Sequence, residues 1–209
     1  MKMVFMAWLC VTAVLVVSTQ GQGTFQNLDF EAAHNLPSPG NSAATSNALP
    51  GWLAFSGTNV LPTIPYNIAS AVPQVGLYGS NSLALSGNFD VLLSKDGSIS
   101  QTGLIPADAQ SLLFKGRWSS LASLGVSLGG QSLSFTAISS GADYTLYGAD
   151  ISAFSGQTAR LAFLSPSLSS YIIDDILFSP QAIPEPSSLF LCLTGGLIAA
   201  SRFIRRRKI

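Results

Sequence analysis

The chain has 209 residues, with ten basic and ten acidic side chains and a formal net charge of zero; 10% of its residues are charged and 47% hydrophobic, where ordinary soluble domains carry roughly 25% charged residues. The neutral total conceals a division: residues 24–183 hold four basic and nine acidic side chains, net −5, so this stretch lacks the basic footprint that nucleic-acid binding requires. Both cysteines, Cys10 and Cys192, lie outside that stretch, which excludes from it a disulfide framework, a thiol nucleophile and a thiolate metal site.

The first element is a leader. Met1-Lys2 is a short positive start, Val4 to Val17 an apolar run, and Ser18-Thr19-Gln20-Gly21-Gln22-Gly23 a small and polar exit. This order predicts a secretory signal peptide over residues 1–23, with cleavage near Gly21 or Gly23. Ala7-Trp8-Leu9 before Cys10 is a poor lipobox, and the apolar run continues past the cysteine. The expected route is export through the secretion machinery.

Residues 24–180 read as one domain of short strands, long enough to bury a core without staples. Six prolines between residues 35 and 75 (37, 39, 50, 62, 65 and 73) predict loops or strand edges there. Apolar residues then alternate with polar ones at Leu83 and Leu85, Leu112 and Phe114, Val126 and Leu128, Leu133 and Phe135, Tyr144 and Leu146, and Leu161 and Phe163. Gly129-Gly130, between the third and fourth pairs, predicts a two-residue hairpin. Tyr171 to Phe178 is rich in β-branched and aromatic residues and predicts a closing strand. The expected class is all-β: an antiparallel two-sheet sandwich, of the jelly-roll type.

Few residues in this body suggest catalysis. Gly125-Val-Ser127-Leu-Gly129 has the spacing of an esterase nucleophile elbow, but that elbow needs a strand-to-helix turn, and Ser127 is expected in a strand before a hairpin. The one histidine, His34, sits in a Pro/Asn-rich loop, which leaves zinc and imidazole chemistry without partners. The expectation is a non-enzyme. A sugar-binding surface would stack aromatic rings on the ligand; Trp118, Tyr66, Tyr78, Tyr144, Tyr147 and Tyr171 are the candidates, with Trp118, directly after Lys115-Gly-Arg117, the first to test and Tyr144 and Tyr147 after it.

The body opens with Asn27-Leu-Asp-Phe-Glu31, continues with Leu49-Pro-Gly-Trp52, and closes with Ile173-Asp-Asp-Ile-Leu-Phe178. These segments resemble the opening and closing of the galactose-binding-like jelly rolls found in many carbohydrate-binding modules. The resemblance implies that the first and last strands lie close together. It also implies a structural calcium ion, with Glu31 and Asp174 or Asp175 as oxygen ligands.

The chain ends, over residues 181–209, in three parts: Pro184-Glu185-Pro186, an apolar stretch, and a basic cluster of Arg202, Arg205, Arg206, Arg207 and Lys208. The prolines fix φ and remove two donors, so their segment is expected to stand extended. A helix over about residues 187–204 reaches about 27 Å at about 1.5 Å per residue, close to a hydrocarbon core of about 30 Å. The basic cluster places that end in the cytoplasm. The three-part order resembles the PEP-CTERM sorting signal of exported Gram-negative proteins. That resemblance implies recognition and removal by an exosortase-type processing enzyme, a role near exopolysaccharide and biofilm, and a final place at the cell surface or outside it. The two readings carried forward are an exopolysaccharide-associated module and a structural coat or matrix protein without a glycan ligand; a glycan-acting enzyme working through two carboxylates stands behind them, with no spacing that marks the pair.

Overall fold

A computed structural model describes residues 24–68, 73–79, 85–117, 124–166 and 170–183. The predicted leader, the membrane helix, Trp118 and the sorting residues Pro184, Glu185, Pro186, Arg202, Arg205, Arg206, Arg207 and Lys208 lie outside the described residues. Among the described residues no helix is long and apolar enough to cross a membrane.

The expected all-β sandwich is present as two six-stranded antiparallel sheets. The first has the order β10 (Gln131–Ser132), β9 (Gly125–Leu128), β13 (Thr158–Leu164), β7 (Gly97–Leu104), β2 (Leu53–Ser56), β3 (Asn59–Val60). The second has the order β11 (Thr136–Ser140), β12 (Thr145–Asp150), β8 (Ser111–Arg117), β14 (Ser170–Ser179), β6 (Phe89–Ser94), β5 (Val75–Gly79). A small two-stranded sheet pairs β1 (Ser42–Ala44) with β4 (Thr63–Pro65) in the proline-rich region, beside the four-residue helix α1 (Thr45–Ala48). That short helix was not expected from the sequence; four residues are too few to show a helical period.

Alternation sorts side chains into a core between the sheets. Ile99, Val126, Leu128, Leu161 and Phe163 of the first sheet meet Leu77, Val91, Leu93, Leu112, Phe114, Tyr171 and Ile173 of the second, all essentially without exposure. Phe114 is the centre of the aromatic packing, with Phe163, Phe135 and Tyr147 at ring-centroid distances of 5.3, 5.4 and 5.6 Å. Burial of such side chains stabilises the fold by roughly 1.5–3 kcal/mol each.

The hairpin forms as predicted: Leu128 pairs with Gln131, and both intervening glycines have positive φ, +59° and +81°, the pair of values that a type I′ turn demands. Leu133 and Phe135, expected in a strand, fall between β10 and β11. They carry the chain from one sheet to the other, and both still pack on the core; their alternation reflects burial without a ladder. Leu85 likewise lies in a bend before β6, buried in a satellite cluster with Tyr78, Leu92 and Ile172.

Candidate ligand-binding face

The outer face of the second sheet collects most of the chemistry. Leu112 and Phe114 of β8 enter the core, so Leu113, Lys115 and Arg117 point the other way. The ladder sets Lys115 between Asp174 of β14 and Leu146 of β12, and Arg117 beside Ile172. Register between β14 and β8 shifts after Asp174, where Asp175 adopts φ +46°. This bulge turns Asp175 towards Lys115, whose Nζ lies 2.6 Å from Oδ2. The same ammonium stands over the Tyr144 ring, 4.7 Å from its centroid. The hydrogen bond to Asp175 raises the Lys115 pKa above its ordinary value.

Two hollows flank this lysine. A cleft of about 600 Å³ has walls of Phe25, Leu28, Leu113, Leu146 and Leu177, with Lys115, Asp29 and Asp175 at its edge. A smaller, more polar groove of about 370 Å³ is formed by Arg117, Asp143, Tyr144, Thr145 and the 140–142 turn.

Beneath the polar face lie two buried acids. Asp90 and Asp174 have no exposed surface. Neither oxygen of Asp90, nor Oδ2 of Asp174, has a hydrogen-bond partner of normal geometry among the described residues. Burial raises the Asp90 pKa to about 7, against the pull of Arg117's charge and the nearby Leu85 N–H. Burial raises that of Asp174 to about 8; the Asp175 N–H, bonded to its Oδ1 at 2.7 Å, opposes the shift, and the charges of Asp175 and Asp90 add to it. Tyr78 is also raised, by burial and then by Asp90. An ionised carboxylate with no partner is costly in such a place, so both acids are driven towards their neutral form.

No protein-family model matches this chain, and no curated protein matches it in sequence.

The predicted site residues divide across these features. Tyr144 is on the outer face; Tyr147, on the opposite face of β12, stacks on Phe114 and meets Phe135 edge-on, so its ring is occupied by the core. Trp118 lies outside the described residues, directly after Arg117. Phe30 and Trp52 are core residues, 5.8 Å apart. Trp52 Nε1 donates to the Asn27 carbonyl, and Ile176 N–H donates to the Leu28 carbonyl. The opening segment, turns and bends rather than the strand expected, therefore lies against the closing strand.

The three proposed calcium ligands are not assembled as a set. Glu31 accepts from the Asn88 N–H at 2.6 Å, the Asn88 side-chain amide at 2.9 Å and the Phe89 N–H at 2.9 Å. Asp175 is held by Lys115, and Asp174 is buried. A cation drawing on all three would compete with Asn88 and Lys115. Among the described residues no group of three or more His, Cys, Asp or Glu side chains is spaced to hold a metal ion.

Ser127 lies in β9, which is followed by the hairpin to β10; the strand-to-helix turn of an esterase elbow is not formed there. Sequence reasoning passed over Asp90, Arg117 and Asp143. For Asp90 a signal existed: an acid inside the apolar run Phe89-Asp-Val-Leu-Leu93 is uncommon without a partner.

Proposed function

We propose that this is an exported, non-catalytic surface or matrix protein, sorted by its C-terminal tail and associating with exopolysaccharide through the outer face of the second sheet. The observation that carries the glycan reading is the groove where Tyr144 stands beside Arg117 and Asp143. An aromatic ring flanked by a fixed cation and a carboxylate matches what a sugar ring with hydroxyl groups requires. Trp118, next in the chain, is the second aromatic to test. The sandwich itself is proposed to be a jelly roll. Its support is the winding β6–β14–β8–β12 opposite β7–β13–β9–β10, in which successive strands pass between sheets except at the hairpins.

The sorting reading rests on the order of Pro184-Glu185-Pro186, apolar run and basic cluster, with an exosortase-type enzyme as processing partner. Exposure of Leu53, Val60 and Leu164 on the first sheet favours the second reading, a coat or matrix protein that packs through its flat faces. Pull-down on host exopolysaccharide separates the two. Tyr144→Ala and Trp118→Ala are expected to weaken retention by about 1–3 kcal/mol each, the range for an aromatic anchor, with unchanged melting temperature. Equal retention of wild type and both variants, or retention of none together with self-assembly, would overturn the glycan reading.

A further inference from the structure

The cleft beside Lys115 is apolar, open and next to the point where the described chain ends. After β14 the chain turns at Pro180 and folds back over the outer face of β8. Ser111 Oγ donates to the Gln181 carbonyl at 2.7 Å. Two residues further, Ile183 lies over Gly148: a Cβ added there would sit 3.0 Å from Ile183 Cδ1 and 3.0 Å from Leu113 Cδ2. Gly148 pairs with Leu113, and its missing side chain leaves space that Ile138, whose Cδ1 would sit 2.5 Å from such a Cβ, shares with Ile183. The returning segment thus keeps step with β8, Gln181 at Ser111 and Ile183 at Leu113.

We propose that Pro184-Glu185-Pro186 continues along this track and docks on the domain, with Glu185 against Lys115 and the prolines over the cleft walled by Leu146, Leu177 and Phe25. An extended proline segment advances about 3.1 Å per residue and a strand about 3.3 Å, so two more residues bring Glu185 level with Lys115. The charges are opposite, and an ammonium has three donors, enough for Asp175 and Glu185 together. Prolines present apolar rings and have no N–H to leave unsatisfied on side chains that offer no ladder. The domain thereby covers its own tail signal.

The test uses the full chain in detergent micelles with a zero-length carbodiimide, which couples amines to carboxylates in contact. The expected product is an intramolecular Lys115–Glu185 amide at a yield independent of protein concentration, alongside Lys115–Asp175. Only Lys115–Asp175, or a Lys115–Glu185 link confined to mixed isotopically labelled chains, would overturn the proposal, the latter by making a second copy the occupant. Cleavage after Pro186 by a proline-specific endoprotease gives an independent reading. Glu185→Gln, which leaves the folded domain untouched, is expected to speed it roughly two- to fivefold, the range for an exposed ion pair. Lys115→Glu should do the same, and Lys115→Glu with Glu185→Lys should restore the slow rate; unchanged rates in all three would sink the idea. The docking does not depend on the sorting reading, but its effect on processing does. Lys115→Gln is expected to hasten tail removal in the native host; a tail that is never removed would end the sorting reading while leaving the crosslink standing.

Discussion

Asp90 and Asp174 give the molecule an unusual dependence on pH. In the folded protein they keep their protons up to about pH 7 and about pH 8 respectively, whereas in an unfolded chain aspartate loses its proton near pH 4. Between those limits the unfolded state binds fewer protons, so stability falls as pH rises. The melting temperature is therefore expected to be higher at pH 5 than at pH 8.5, opposite to the usual acid trend. Asp90→Asn and Asp174→Asn should flatten the slope and raise the value at pH 8.5 by several degrees, at roughly 2–4 °C per kcal/mol for a domain of this size. A wild-type melting temperature that is flat or rising over this range would show that the two carboxyls ionise without penalty. Sequence marked Asp90 alone, as an acid inside an apolar run; that Asp174 is buried near it follows only from the register of β14 with β6.

At the scale of elements, the opening segment 27–31 is a strut as much as a ligand candidate. Glu31 ties it to the start of β6 through Asn88 and Phe89, Trp52 caps the Asn27 carbonyl, and Gln101 holds Gln26 from both sides, accepting from its N–H and donating to its carbonyl. Glu31→Gln is expected to cost about 1–3 kcal/mol by leaving backbone donors less well paired, measured by denaturant unfolding, with or without a chelator. If a calcium ion joins Glu31 to the closing strand, chelation of the native protein lowers its melting temperature as well; an unchanged value removes the ion and leaves the strut. The strands were legible where alternation and turn chemistry agreed, as at Val126-Ser127-Leu128-Gly129-Gly130 and along Leu161 to Phe163. They were misread at Leu133 and Phe135, because residues crossing between sheets are buried with the same period as residues in a ladder. The bulge at Asp175 had no advance signal, since adjacent aspartates read equally well as regular strand.

For the whole molecule, the separation into an apolar start, an acidic body and a basic end is a matter of composition and is legible in the amino-acid order alone. A ligand for the body is not legible there, because the proposed groove is assembled from β8 and the turn before β12. Intact mass spectrometry of the mature protein in its host tests the sorting reading directly: a terminus that ends before the Arg202–Lys208 cluster is expected, and an intact basic end would contradict exosortase processing. The strand order also bears on how the chain is made. The last strand, β14, is central, lying between β8 and β6, which precede it by many residues. During synthesis from the N-terminus, both neighbours must wait with unpaired edges until Ser170–Ser179 emerges, and such long-range closure is slow and exposed to aggregation. The body is therefore unable to complete its fold until nearly all of it has emerged, and substitutions in β14 should first appear as lost yield of folded protein, ahead of any change in binding.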